Sequence, residues 1–176
     1  MQKETLRKTL FAKRQYADIH SAVLTKKIYH CLQHYAPKCI GFYWPLKGEF
    51  EIRSVIVNWL ALNDNCLAAL PIIEETHKIL HFHQWQPDTF MITGSHNIAI
   101  PANSNHVQPD LLLIPCLGFN RENYRLGYGG GYYDRTLAHL SVKPITIGIA
   151  FETCVIDHFP REPHDLPLDA IMTDHC

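Results

Sequence analysis

The chain has 176 residues, with 16 Lys and Arg against 17 Asp and Glu and a formal charge of −1 at pH 7. That balance supplies no basic stripe of the kind that displaces counterions from nucleic acid, and 47% apolar with 19% charged residues excludes a mainly disordered chain. No apolar run approaches the ~20 residues that cross a bilayer, the N-terminal residues have no signal-peptide core, and none of the six Cys forms a C-x-x-C pair, so the reading is a cytoplasmic chain with reduced thiols, no membrane segment and no zinc ribbon.

In chain order, residues 3–16 read as a basic helix with Leu6, Leu10 and Ile19 marking one side. Ser21 is placed to cap a second helix that runs to about Tyr35, with Val23, Leu24, Ile28 and Leu32 on its apolar face and Pro37 as its stop. Residues 39–43 are apolar without alternation, which suits a strand buried on both faces. A helix over residues 51–62 follows, with Ile52, Val55, Ile56, Trp59 and Leu60 on one face, and then a strand over residues 66–70. Residues 79–85 alternate and read as an antiparallel or edge strand. Residues 86–109, rich in Pro, Asn, Ser and His, read as loop. Residues 111–114 are the central strand, residues 132–140 a helix, residues 145–150 a strand and residues 170–173 a last short strand. Strands alternating with helices imply right-handed crossovers and a mostly parallel open sheet flanked by helices. The expectation is therefore one α/β domain over residues 1–176, a Rossmann-like three-layer sandwich, with ligands beyond the carboxyl ends of the strands.

The segment richest in chemistry is Arg125-Leu126-Gly127-Tyr128-Gly129-Gly130-Gly131-Tyr132-Tyr133-Asp134-Arg135, which follows the central strand and opens a helix. Glycines at four of five positions free the backbone to take positive φ and to approach an anion closely. The helix start adds unpaired N–H groups and the positive end of a dipole, and Arg125 and Arg135 add charged donors, so the segment reads as a phosphate cradle. It is not a P-loop, because no Lys-Ser/Thr follows the glycines, and Tyr132 breaks a G-x-G-x-x-G reading. Asp134, at the helix start, can serve the dipole or hold Mg²⁺ on phosphates. A Pro-stiffened stretch, residues 160–169, carries further acidic side chains, and Asp169 just before the last strand is expected to face the glycine loop across the top of the sheet.

These residues resemble a known family. The glycine segment, the later Pro163-His164-Asp165-Leu166-Pro167-Leu168-Asp169-Ala170-Ile171-Met172-Thr173-Asp174, the early Lys3-x-x-x-Arg7 and the stretch Tyr43 to Glu51 are similar, in order, to 5-formyltetrahydrofolate cyclo-ligases. The resemblance implies ATP-dependent closure of a reduced folate, 5-formyltetrahydrofolate, to 5,10-methenyltetrahydrofolate, with ADP and phosphate released. It implies ATP-binding positions at Lys3, Arg7, Arg125, Leu126, Gly127, Tyr128, Gly129, Gly130, Gly131, Tyr132 and Tyr133. It implies folate contacts at Leu46, Glu51, Tyr128, Gly129, Gly130, Gly131 and Tyr132, and Mg²⁺ at Asp134 and Asp169. The chain is expected to be a monomer. Departures from the family pattern at Asn120, Asn123 and Ile100 raise one alternative, a homologue that binds folate or nucleotide without turnover.

Overall fold

The computed structural model describes residues 2–175. Helix α1 (Lys3–Arg14) has Glu4 in its first turn and Lys13 and Arg14 in its last, matching the helix dipole at both ends. Helix α2 (Ala22–Tyr35) starts at Ser21, whose hydroxyl accepts a hydrogen bond from the Leu24 N–H at 3.3 Å, and ends at Ala36 in the left-handed conformation just before Pro37. Strand β1 (Cys39–Gly41), helix α3 (Arg53–Leu62) and strands β2 (Leu67–Glu74) and β3 (Ile79–Trp85) follow. Next come β4 (Met91–Thr93), β5 (Ala99–Pro101), β6 (Leu111–Pro115), β7 (Gly118–Phe119), β8 (Arg125–Leu126), α4 (Tyr132–His139), β9 (Ile145–Ile149) and β10 (Ala170–Met172).

Six strands form one sheet in the order β10-β9-β6-β1-β2-β3. All pairings are parallel except β2 with β3, an antiparallel hairpin that makes β3 the edge. The expected α/β architecture is therefore the observed one. Leu111 and Leu113 pack in the cluster that α1, α2 and α3 cover, whereas Leu112 and Ile114 pack in the cluster under α4. With side chains alternating across a sheet covered on both faces, every position of β6 is apolar, which is why residues 111–114 show no polar period. The strand at the other end of the hairpin is longer than residues 66–70 indicated, because β2 continues to Glu74 to pair with β3.

Residues 86–109 correct the expectation of plain loop: β4 and β5 pair antiparallel as a separate two-stranded sheet. Past it, the chain lies along the open side of β3, where the Gln84 N–H donates to Asn105 O and the Val107 N–H donates to Phe82 O, both at 2.9 Å. This run satisfies backbone groups of an otherwise open edge. Residues 125–126 form a short strand, β8, which pairs antiparallel with β7 before the glycine loop turns into α4. Five of the six Cys are buried free thiols; Cys176 lies outside the described residues. Among the described residues no helix is long and apolar enough to cross a membrane.

Candidate active site

A cleft of ≈ 630 Å³ opens beyond the carboxyl ends of β1 and β6, and the glycine loop, α1 and the β4–β5 hairpin all contribute to its lining. Gly129 at φ +104 and Gly131 at φ +65 turn the loop into α4, conformations that side-chain-bearing residues rarely adopt. Gly131 is the N-cap of α4 and gives it no side-chain cap, so the first-turn N–H groups keep their donor capacity beside the cleft.

Helix α1 lies over this loop. Arg7 Nε donates to Gly127 O at 2.9 Å, and its guanidinium is so close to Gly129 that a Cβ there would sit 3.3 Å from Arg7 Cζ. Lys3 Nζ pairs with Asp165 at 2.8 Å and with Glu162 at 3.1 Å. Burial pushes the Lys3 amine down, but the hydrogen bonds to Asp165 and Glu162 outweigh it and the net shift is upward. Burial likewise pushes Asp165 up, and the bond from Lys3 leaves its carboxyl below the usual range. Arg125 grips Asp134 bidentately at 2.9 and 3.0 Å, and Asp134 also accepts from the Leu166 N–H at 3.3 Å. Arg135 turns away from the cleft, donating to Lys78 O at 2.9 Å and to Gly130 O at 2.5 Å, so it props the loop from behind.

The rest of the lining is of a different kind. Tyr43, Trp44, Leu46, Ile72, Ile98 and Ile100 supply apolar surface, with one buried carboxylate, Glu49, among them. Glu49 is 6% exposed and accepts from the Leu46 N–H at 2.7 Å and from the Tyr128 hydroxyl. A cleft that puts cations and free backbone donors beside an apolar wall with one carboxylate suits a polyanion and a flat, N–H-bearing ring together.

A model of the 5-formyltetrahydrofolate cyclo-ligase family matches residues 1–174. The chain belongs to that family. A 5-formyltetrahydrofolate cyclo-ligase from Mycoplasma pneumoniae is 33% identical over 99% of this chain and 99% of its own. One from Haemophilus influenzae is 30% identical over 95% of this chain and 91% of its own. The solved structure of a 5,10-methenyltetrahydrofolate synthetase from Mycoplasma pneumoniae superposes with a TM-score of 0.79 at 29% identity, covering 99% of this chain and all of that one.

The cyclo-ligase fold brings together most of the residues singled out from sequence and separates three of them. Lys3, Arg7, Leu46, residues 125–133 and Asp134 all line the cleft. Glu51 does not: it is clamped by Arg53 at 2.5 and 2.7 Å, and that guanidinium lies 4.6 Å from the Trp44 ring centre. Arg53 holds the Glu51 carboxyl below the usual range. The carboxylate at the cleft two residues earlier, Glu49, is the one the sequence reading passed over. Asp169 also lies elsewhere, near the amino ends of β9 and β10, where its carboxylate accepts from the Thr146 N–H and hydroxyl at 2.7 Å each. The cleft carboxylate from that Pro-rich stretch is Asp165. Arg135 is the third, for the reason given above.

The departures at Asn120 and Asn123 leave the turn intact. The Asn120 side-chain oxygen accepts from the N–H groups of Glu122 and Tyr124 at 3.1 and 3.0 Å, closing the loop as a carboxylate would. Asn123 holds φ at +63, a conformation Asn tolerates better than most residues, and its side chain donates to Asp169 O at 3.3 Å.

Proposed function

We propose that this cyclo-ligase couples ATP to ring closure of 5-formyltetrahydrofolate, giving 5,10-methenyltetrahydrofolate, ADP and phosphate, as a cytoplasmic monomer. The observation that carries the reading is the docking of Arg7 against the glycine loop, with Lys3 held beside it by Glu162 and Asp165, in the same cleft as the buried Glu49. A formamide is a poor electrophile, and direct closure would have to expel hydroxide. Transfer of the γ-phosphoryl group to the formyl oxygen breaks its bond to ADP and turns that oxygen into a phosphate leaving group. The neighbouring folate amine then attacks the formyl carbon, its proton is lost, and the C–O bond breaks to release phosphate.

The chain's part is positioning and charge neutralisation. The α4 N–H groups and Arg7 hold phosphate oxygens, and Lys3 exchanges Glu162 and Asp165 for phosphate when the nucleotide enters. Glu49 accepts N–H donors of the pterin, and Trp44 and Ile72 cover its faces. Asp134 and Asp165 fit a Mg²⁺ ion carried in on the triphosphate: both are carboxylates at the cleft, and phosphate oxygens and water complete such a shell. Among the described residues there is no group of three or more His, Cys, Asp or Glu that could hold a metal ion. When bound, the ion offsets phosphate charge; Asp169, outside the cleft, is no donor to it. The test is to incubate the protein with 5-formyltetrahydrofolate, ATP and Mg²⁺ and to follow methenyl absorbance and ADP together. Equal yields of the two are expected; folate binding without ATP consumption would establish the non-catalytic homologue instead.

A further inference from the structure

Arg14, in the last turn of α1, is 3% exposed, an unusual place for a guanidinium. Its site is built on every side. One η nitrogen donates to the Tyr128 hydroxyl at 2.5 Å and lies 3.7 Å from Glu49 Oε1; the other donates to Lys47 O at 3.1 Å. The rings of Phe11 and Tyr128 stand 5.2 and 5.6 Å from Arg14 Cζ. Gly48, at φ +80, brings its backbone so close that a Cβ would sit 3.4 Å from Arg14 Nε. The Tyr128 hydroxyl, accepting from Arg14, donates in turn to Glu49. Each bond of this chain polarises the next in the same sense, from buried cation to cleft carboxylate.

We infer that Arg14 is a positioning residue of the site: it fixes the directions of Tyr128 and Glu49, and so ties recognition of the folate ring to the helix that holds the nucleotide. The inference rests on the proposed folate reading for its functional half, but its structural half stands without substrate. Lys3, Arg7 and Arg14 fall within about 40° of one another around a helix of 3.6 residues per turn, so one stripe of α1 reaches both the phosphate cradle and the carboxylate. The titratable groups facing Glu49 are Arg14 from α1, Tyr128 from the glycine loop, Tyr43 beyond β1, Cys116 beyond β6 and Tyr133 of α4. Burial raises all three tyrosines and pushes the Cys116 thiol up to about 12, so these neighbours are neutral at pH 7. Burial also pushes Glu49 up, opposed by the Tyr128 hydroxyl, the Leu46 N–H and the Arg14 charge. Burial wins on balance and the Glu49 carboxyl lies above its usual range, with the Arg14 charge among the influences that favour its ionised form.

The experiment is a ¹³C titration of the Glu49 carboxyl in the ligand-free protein, assigned by its loss in Glu49→Gln, alongside KM values for folate and ATP. In Arg14→Met the titration midpoint should rise by about one unit or more, and KM for 5-formyltetrahydrofolate at neutral pH by about tenfold, recovering at higher pH. KM for ATP should stay within about twofold. Arg14→Lys, which keeps charge but not the fork, should fall between. Tyr128→Phe retains Arg14 and the ring and should also raise the midpoint, which keeps the test open should Arg14→Met fail to fold. Unchanged midpoints in all folded variants, or equal rises in both KM values, would overturn the inference. A wild type without turnover would sink the proposed function, yet leave the Glu49 titration to decide the role of Arg14.

Discussion

Glu49→Gln and Glu51→Gln form a paired perturbation that separates the cleft carboxylate from its neighbour. Each removes one negative charge at nearly constant volume. The Glu49 side chain is 5% exposed, so solvent cannot replace what it loses toward a bound ring. Hydrogen bonds to a charged partner contribute about 1.5–3 kcal/mol. At about 1.4 kcal/mol per decade, KM for 5-formyltetrahydrofolate should rise about 10- to 150-fold in Glu49→Gln. The Leu46 N–H and the Tyr128 hydroxyl donate to different oxygens of Glu49, so the amide oxygen keeps one of these bonds and the other is lost, and Arg14 is left as a buried cation with weaker compensation; a lower unfolding temperature is expected alongside the rise in KM. Glu51 pairs with an Arg53 side chain that is 40% exposed, and pairs of that kind contribute about 0–1 kcal/mol. Glu51→Gln should therefore change KM by less than about fivefold. The assay is initial rate against folate concentration at saturating ATP, with thermal unfolding as the control on folding. Equal losses in the two variants, or a larger loss in Glu51→Gln, would refute the assignment of Glu49.

The same logic separates Asp165 from Asp169. Asp165→Asn should raise the Mg²⁺ concentration needed for half-maximal rate and, by weakening the Lys3 attachment of α1, lower the unfolding midpoint, whereas Asp169→Asn, which disturbs the Thr146 contacts, should lower the unfolding midpoint and leave the Mg²⁺ requirement unchanged; an altered Mg²⁺ requirement in Asp169→Asn alone would restore Asp169 as the metal donor. Gly129→Ala forces a side chain onto φ +104 at a cost of about 1–3 kcal/mol, so kcat/KM for ATP should fall about 5- to 150-fold. The Cβ itself would meet only the flexible end of Arg7, so adding Arg7→Ala should not rescue it, and a rescue would locate the cost in that contact instead of the backbone.

The fold was legible where local chemistry decides it. Ser21 announces a helix start because its hydroxyl can serve an orphan N–H, and residues 111–114 announce a central strand because both faces of the sheet are covered. The β4–β5 hairpin was not legible. Its strands have three residues each, and they leave Ile92 44% exposed, so no alternation marks them. The glycine loop could be read as a phosphate cradle from its own residues, but its partners could not: Lys3 meets Asp165 across 162 positions of chain. Within short acidic stretches the resemblance pointed to Glu51 and Asp169, and the carboxylates that line the cleft are their neighbours Glu49 and Asp165. Glu49 and Glu51 flank Phe50, which is 3% exposed, and what sends one carboxylate inward is the turn at Gly48 that wraps Arg14. Nothing in the string Glu-Phe-Glu encodes that turn; it is set by an arginine more than thirty residues earlier.

Helix α1 shows how the charge of the site and the stability of the fold become one problem. Its buried apolar side chains are Leu6 and Leu10, a small surface for holding twelve residues in place. The remaining attachments are polar: Lys3 to the Pro-rich stretch, Arg7 to the glycine loop, and Arg14 to Tyr128, Glu49 and Lys47. Every one of these reaches a segment of the cleft. A helix docked on a generic apolar stripe would have no polar link to the cleft. This one is held by groups at the cleft, so under the proposed reading a nucleotide displacing Glu162 and Asp165 from Lys3 would replace one attachment with another and leave the helix seated through the exchange.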